Sequence, residues 1–183
     1  MNSSEPLAYY FDKNLRDIPL HPENLKTHIK DLKEQFKQQN NPEDQVRILG
    51  EIGVYFRQLN ELNKAEEVLS HTLQLILQHN LGLNLEIQQK IRVAHVYQWK
   101  KEFAKSTQLF SEVIKSCRVN SELHSYLAFA LQHAGKNLFD QGDFQKALLH
   151  FEEALSIRVY KKAPEEQIKS TILAINVTKE KIN

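Results

Sequence analysis

Apolar residues recur along most of the chain at helical spacing, with polar residues between them. After Pro22, which can open a helix, apolar residues follow at steps of four, three and four: Leu25, Ile29, Leu32 and Phe36. After Pro6, an earlier stripe comprises Leu7, Phe11, Leu15 and Ile18. Steps of three or four residues return to one side of an α-helix, so each stripe predicts a helix with one buried face. We expect these two helices to pair over residues 5–39.

The sequence repeats itself with a period of 41 residues. Residues 142–155, GDFQKALLHFEEAL, correspond in residue type to residues 101–114 and 60–73, which lie one and two periods earlier. The aligned columns are Gly53, Ala94 and Gly135; Phe56, Tyr97 and Leu138; Leu62, Phe103 and Phe144; Ala65, Ser106 and Ala147; Leu69, Phe110 and Phe151; Thr72, Val113 and Ala154. A fixed period of this length indicates an architecture built from one supersecondary unit per repeat.

Each repeat predicts two antiparallel helices. Gly53 and Phe56 share one face of the first helix, and Ala65 and Leu69 share one face of the second. Small residues at facing positions let the two helix axes approach closely. Because one pair cannot bury its apolar face alone, the pairs must stack. The expected organisation is one domain over 1–183, with repeats at 43–80, 84–117 and 121–160 and a capping helix at 164–181.

The stretch GKNLFDQGDFQKALLHFEEAL, residues 135–155, carries a small and a large residue on its first helix and A-x3-F-x2-A on its second. This pattern resembles the tetratricopeptide repeat family, and the resemblance extends over residues 43–160. It implies an all-α, right-handed solenoid of stacked antiparallel helix pairs. The 41-residue columns and the terminal stripes together predict about nine helices and no β-sheet. The period exceeds the usual one of about 34 residues by roughly two helical turns, as in kinesin light chains and bacterial peptide-sensing regulators.

Composition and charge narrow the possible functions. The 24 Lys and Arg residues nearly balance 23 Asp and Glu residues, which leaves a net charge of +1. A dedicated nucleic-acid binder would be more basic, so no nucleic-acid partner is expected. The sequence has neither a secretory leader pattern nor an apolar run of membrane-spanning length. We therefore expect a cytoplasmic protein without a membrane partner.

Catalytic and metal-binding patterns are weak. Cys117 is the only cysteine, so neither an intrachain disulfide nor a cysteine-based metal cluster is possible, and a bland thiol is favoured over a nucleophile. The 8 His residues are scattered without an H-E-x-x-H motif, and no Gly-rich phosphate loop is present. The sequence predicts no catalytic residue, no metal site and no small-molecule cofactor. An enzyme is the least favoured reading.

A candidate binding surface lies on the first helix of each repeat, opposite its core face. We call this set the inner stripe, because the family resemblance places the first helices on the concave surface. At about 100° per residue, the stripe comprises Arg47, Glu51, Val54, Gln58, Gln88, Arg92, His95, Trp99, Phe129, His133, Lys136 and Asp140. Arg and exposed aromatic side chains are frequent anchors at protein interfaces. All of these except Val54 are predicted to bind a protein or peptide segment; the competing interpretation is a solvated helical face.

Two functional hypotheses remain besides an enzyme. A non-catalytic scaffold or adaptor that holds a partner segment in its concave groove is favoured. The alternative is a peptide-sensing bacterial regulator of the long-repeat type that lacks its own DNA-binding domain. Family members that clamp acidic chaperone tails use Lys and Asn where Gly50 and Val54 stand in this chain, so that clamp is not expected.

Overall fold

The computed structural model describes residues 7–182. Two short strands come first, β1 (Tyr9–Phe11) and β2 (Asp17–Pro19). Eight helices follow within the described residues: α1 (Pro22–Gln38), α2 (Pro42–Gln58), α3 (Leu62–Gln78), α4 (Leu83–Trp99), α5 (Phe103–Val119), α6 (Leu127–Asp140), α7 (Phe144–Tyr160) and α8 (Glu165–Ile182). A 3-10 turn, Ser121–Leu123, precedes α6. The chain divides into two compact units, Met1–Lys100 and Lys101–Asn183.

In the first unit, each helix packs on the next, and α2 also contacts α4. The pair α2 and α3 depends on a glycine, because a Cβ at Gly53 would overlap the side chain of Leu69. Ala65 and Leu69 are completely buried on the facing helix. The predicted small column thus marks a place where the two helices are in close contact.

The second unit repeats this arrangement, with α5 on α6, α6 on α7 and α7 on α8. A Cβ at Gly135 would lie 2.6 Å from Cε1 of Phe151, and Ala147 is completely buried on the same helix as Phe151. Asp143 caps α7 by accepting a hydrogen bond from the Lys146 amide at 3.3 Å. Each unit is therefore a run of stacked antiparallel helices, the arrangement of an α-solenoid.

The turns that follow α2, α4 and α6 share one backbone conformation. Asn60, Lys101 and Gly142 follow α2, α4 and α6, and all have positive φ, at 59°, 61° and 80°. These positions are 41 residues apart, like the starts of α3, α5 and α7 at residues 62, 103 and 144. A left-handed residue just beyond a helix is the common way to end it. Glycine occupies this position in only one of the three turns.

The expected helix within residues 5–18 is wrong, and so is the expectation of no β-sheet. Residues 9–19 form an antiparallel hairpin in which Tyr10 pairs with Ile18. The Asp12 carboxylate accepts hydrogen bonds from the amides of Asn14 at 2.8 Å and Arg16 at 2.9 Å, which reverses the chain. Pro6, proposed as the helix start, lies outside the described residues. The described residues therefore hold eight helices where nine were expected.

The C-terminal helix begins and ends close to the expected capping helix, but its buried face differs in part. Ile175 is buried as expected, whereas Ile172 is 41% exposed. Thr171, Ala174 and Thr178 form the buried side instead. The reason lies in α7, where the guanidinium of Arg158 is buried and bonds to Thr171 Oγ1. A buried cation requires oxygen atoms around it, so threonine faces α7 where an isoleucine was expected.

Candidate functional site

The part of the inner stripe in the first unit lies where α2 and α4 meet. Gly50 on α2 leaves room for the Arg92 side chain of α4, since a Cβ at Gly50 would overlap Arg92 Nη1. Gln89 lies beside them, 1% exposed, and its Nε2 donates to the carbonyl of Leu69 at 2.8 Å. This bond fixes Gln89, so its Oε1 is held in place near Arg92. The Arg92 side chain crosses α2 at this point, which explains why residue 50 is a glycine.

Arg92 is the most unusual charge on this face. Its guanidinium is half-buried and makes one weak hydrogen bond, 3.4 Å from Nη1 to Gln89 Oε1. Burial lowers the pKa of Arg92, Glu51 raises it, and Arg47 lowers it further. Within residues 7–182, no carboxylate forms an ion pair with Arg92. A guanidinium has five N–H donors, so most of its hydrogen-bonding capacity is unused within the chain.

The groups around Arg92 combine charge with an aromatic hydroxyl. Glu51 and Arg47 are exposed on α2, and Arg47 is held only loosely by Glu43, at 4.0 Å. Burial raises the pKa of Tyr55, Glu51 raises it further, and Arg92 lowers it. His28 of α1 packs edge-on against the Tyr55 ring, with centroids 5.4 Å apart. We call Arg47, Glu51, Tyr55 and Arg92 the Arg92 cluster.

Farther along the same two helices, the N-terminal hairpin covers the face. Asp17 accepts hydrogen bonds from Arg57 Nη1 at 2.6 Å, from Arg57 Nη2 at 2.8 Å and from Gln58 Nε2 at 2.8 Å. The guanidinium groups of Arg16 and Arg57 lie 4.9 Å and 4.7 Å from the centre of the Trp99 ring. Both distances are within the range of cation–π attraction. The N-terminal hairpin thus covers the ends of α2 and α4.

Several residues of the inner stripe are not on an open surface. Trp99, predicted as an exposed anchor, is 4% exposed, and His95 is 5% exposed. Their rings pack edge-on at 6.1 Å. The expectation that Trp99 is free to cover a partner side chain is therefore wrong in this state. Of the inner stripe in the first unit, Arg47 and Glu51 are exposed, while Gln58, Gln88 and Arg92 are half-buried.

The remaining inner-stripe residues belong to the second unit and lie on α6. Phe129 is 45% exposed and packs edge-on against the half-buried His133, with centroids 4.3 Å apart. Lys136 is 4% exposed, so it does not offer an open cation, and Asp140 is half-buried. Phe129 is thus the exposed apolar contact that this part of the stripe offers, and its role in binding stays a prediction.

Sequence reasoning missed Arg16, Asp17 and Arg57. Arg57 precedes Gln58 of the inner stripe and was placed on neither the core nor the binding face. Arg16 and Asp17 were assigned to a helix, so nothing in the pattern linked them to α2. The signal that was available is local: an Asp at position 12 followed by Lys-Asn favours a turn over a helix.

Reactive and metal-binding chemistry finds no support in the described part of the chain. Cys117 is completely buried, and burial raises the pKa of its thiol. A raised pKa keeps the thiol protonated, whereas a nucleophilic cysteine needs a lowered one. Across residues 7–182, no three His, Cys, Asp or Glu side chains are grouped closely enough to hold a metal ion. None of the described helices is both long and apolar enough to cross a membrane.

Three of the solved structures that resemble this chain illustrate its fold. BtubC (BKLC) from P. vanneervenii superimposes with a TM-score of 0.68 at 14% identity, over 88% of this chain and 70% of that one. Bacillus thuringiensis PlcR, solved in complex with the peptide PapR7 and DNA, gives 0.74 at 15% identity, over 88% and 58%. A Podosopora anserina putative kinesin light chain with nearly identical TPR-like repeats gives 0.63 at 11%, over 87% and 79%. The chain thus spans only 58% of the length of PlcR.

The sequence comparisons identify one family. No curated protein sequence matches the chain. The family model for the tetratricopeptide repeat matches residues 86–158, which include most of α4 and all of α5, α6 and, up to Arg158, α7. The solved structures share the stacked helix pairs described above. Residues 86–158 therefore match the tetratricopeptide repeat family, and the stacked helix pairs share the fold of solved TPR-like repeats.

Proposed function

We propose that this protein is a non-catalytic scaffold that holds a segment of a partner protein on the face shared by α2 and α4. The observation that carries the proposal is Arg92, a half-buried guanidinium that is not ion-paired to any carboxylate within residues 7–182. Removing a charge from water without a counter-ion is costly. A partner carboxylate at this position would compensate that cost, which favours a partner that contains Asp or Glu.

The surroundings of Arg92 favour an acidic side chain over a phosphate or a polyanion. Arg47 adds a second positive charge on α2, while Glu51 keeps the local net charge low. A single carboxylate can accept two parallel N–H bonds from a guanidinium. Gln89 Nε2 donates to the Leu69 carbonyl, and Gln89 Oε1 accepts the weak hydrogen bond from Arg92. A short acidic peptide segment fits this cluster in charge and geometry.

The proposal is tested with paired arrays of synthetic peptides. One array carries acidic sequences, and the other carries the same sequences with Asn and Gln in place of Asp and Glu. We expect the parent chain to retain the acidic array and Arg92→Met to bind it at least about tenfold more weakly, because truncated anchors often cost about 2 kcal/mol. Equal retention of both arrays by the parent would contradict the proposal.

A matched control lies on the same helix. Lys90 is two residues from Arg92 and pairs with Glu86 at 2.7 Å. Lys90→Ala removes the same formal charge from α4, and we expect it to leave peptide retention unchanged. Circular dichroism melting of both variants separates a loss of binding from a loss of folding. If Lys90→Ala weakens retention as much as Arg92→Met does, the effect is one of overall charge and the site is elsewhere.

A peptide-sensing regulator is the second candidate, and the similarity to PlcR in complex with a peptide favours it. The two functions differ in the consequence of binding. A sensor changes conformation when a short free peptide binds, whereas a scaffold keeps the geometry that it has. Small-angle scattering with and without a retained peptide distinguishes them. A changed scattering profile at saturation supports the sensor.

A further inference from the structure

The N-terminal hairpin binds the helices in the way that a separate ligand would. Residues 9–11 and 17–19 are extended strands joined by a turn. The Asp17 carboxylate anchors the hairpin, since both terminal nitrogens of Arg57 and the Gln58 amide donate to it. The side chains of Arg57 and Asp17 are 5% and 14% exposed. A buried bidentate pair of this kind is specific for a planar carboxylate.

A second anchor is the Trp99 ring. The Arg16 guanidinium of the hairpin lies 4.9 Å from the centre of this ring, and the Arg57 guanidinium lies 4.7 Å from it. Arg57 therefore connects the two anchors, since it contacts both Asp17 and Trp99. Leu15, next to Arg16, is 2% exposed, so the hairpin also buries an apolar side chain. Arg57 and Trp99 thus contact an acidic and a basic side chain on consecutive hairpin residues.

The hairpin is held by this site more than by its own structure. Two strands of three residues each form one small sheet, and an isolated two-stranded hairpin is marginally stable in water. Leu15 has a φ of 60°, a left-handed conformation that costs about 1 kcal/mol or more for a residue other than glycine. Ordering the hairpin therefore depends on docking, and a competing segment needs to replace only the docking contacts.

We propose that Arg57, Gln58 and Trp99 form a recognition site for an extended acidic segment of a partner protein, which the chain's own hairpin occupies in this structure and which a partner displaces. The proposal rests on the scaffold function above and adds a regulated second contact on the same two helices. Gln58 and Trp99 belong to the inner stripe, so the hairpin covers positions where partner contact was expected. Access to this site would then depend on the competition between hairpin and partner.

The test uses the full chain and a labelled peptide that copies the hairpin, LAYYFDKNLRDIPL, residues 7–20. Binding is measured by fluorescence anisotropy. We expect the peptide to bind Asp17→Asn at least about tenfold more tightly than the parent, because the chain's own hairpin then competes poorly. A peptide carrying the same Asp-to-Asn change is expected to lose that binding. Adding Arg57→Met to the Asp17→Asn chain is also expected to abolish it.

Trp99 provides an independent readout, since it is the only tryptophan and the peptide contains none. We expect its emission to shift to the red in Asp17→Asn and to return when the peptide binds. Glu23→Gln is the matched control: it removes an exposed acidic group on α1 that pairs with Lys26, and we expect parent behaviour. Arg16→Gln is a milder variant that keeps the Asp17 pair; we expect a smaller gain in peptide affinity.

The proposal is overturned if the folded Asp17→Asn and Arg16→Gln chains bind the peptide no more tightly than the parent does and their Trp99 emission is unchanged. The hairpin would then be a permanent part of the fold. This failure is separable from failure of the scaffold function. The acidic peptide arrays depend on Arg92, whereas the hairpin peptide depends on Arg57. Loss of array retention in Arg92→Met together with no effect of Asp17→Asn would leave the scaffold function standing without the hairpin proposal.

Discussion

Arg57 and Asp17 are 40 residues apart in sequence and form a bidentate ion pair, with nitrogen–oxygen distances of 2.6 and 2.8 Å. Arg57→Lys keeps the charge but has no planar fork and stacks poorly on Trp99. We expect hairpin docking to weaken by about 1.5 to 3 kcal/mol, the range for hydrogen bonds to charged groups. Trp99 emission during a urea titration measures this loss of docking free energy. If the emission of Arg57→Lys changes at the same urea concentration as that of the parent, the planar guanidinium is not required.

Gly135 packs against the Phe151 ring, and the second prediction concerns this contact. Gly135→Ala places a Cβ 2.6 Å from Cε1 of Phe151, which forces the buried Phe151 ring or one of the helices to shift. Overpacking of this kind costs about 1 to 3 kcal/mol, and we expect a matching loss in the free energy of unfolding. Gln145→Ala, exposed on the neighbouring helix, is the control and is expected to be neutral. Equal stability of the two variants would show that the helix pair relaxes freely.

The turn residues Lys101 and Gly142 hold equivalent left-handed positions, with φ of 61° and 80°. Glycine adopts this conformation without steric cost, whereas lysine does not. We expect Lys101→Gly to stabilise the protein and Gly142→Ala to destabilise it, each by about 1 kcal/mol. Chemical unfolding followed by circular dichroism checks both signs. Changes of the same sign in the two variants would contradict this account of the turns.

Arg158 is a buried cation held by neutral oxygens. Burial lowers its pKa to about 10, so it remains charged at neutral pH. It bonds to Gln132 Oε1, to Thr171 Oγ1 and, at 2.9 Å, to the carbonyl of Gln167. Gln132 and Thr171 also bond to each other at 2.8 Å, so they stay paired if the arginine is removed.

We therefore expect Arg158→Met to change the melting temperature little or to raise it, because apolar replacements of buried charges are often neutral or stabilising. Gln132→Leu removes one of the three acceptors of the buried charge, and we expect it to cost about 1 to 3 kcal/mol. The double variant is expected to recover most of that loss. Differential scanning calorimetry of the three proteins tests this order. A larger loss of stability in Arg158→Met than in Gln132→Leu would contradict the prediction.

Cys117 links stability to pH. Burial raises its pKa above the ordinary value of 9.0, so the folded protein keeps the thiol proton at a pH where the unfolded chain has begun to lose it. The unfolded state then binds fewer protons, and the free energy of unfolding falls as pH rises above about 9. We expect Cys117→Ala to reduce this slope between pH 8 and 10 (roughly one unit on either side of the unfolded value). If the parent and Cys117→Ala have identical slopes, other titrating groups cause this pH dependence.

The sequence by itself determined the helix pairs. Helical periodicity and small residues at fixed spacing depend only on neighbours along the chain and on one opposing helix, so Gly53, Ala65 and Gly135 were correctly placed at close contacts. The tetratricopeptide repeat resemblance followed from the same columns. These features are local, and a single sequence contains the information that they need.

Only the tertiary structure decided which polar residues are open. The hairpin formed because Asp12 turns the chain, and its docking brought Asp17 to Arg57 across 40 residues. That contact covers Trp99, which the stripe alone placed on a free surface. The guanidinium of Arg92, by contrast, makes one weak hydrogen bond within the described residues, and Gly50 on the adjacent helix leaves the space that it occupies. Periodicity says which side of a helix is polar, but long-range packing decides whether that side meets water or another part of the chain.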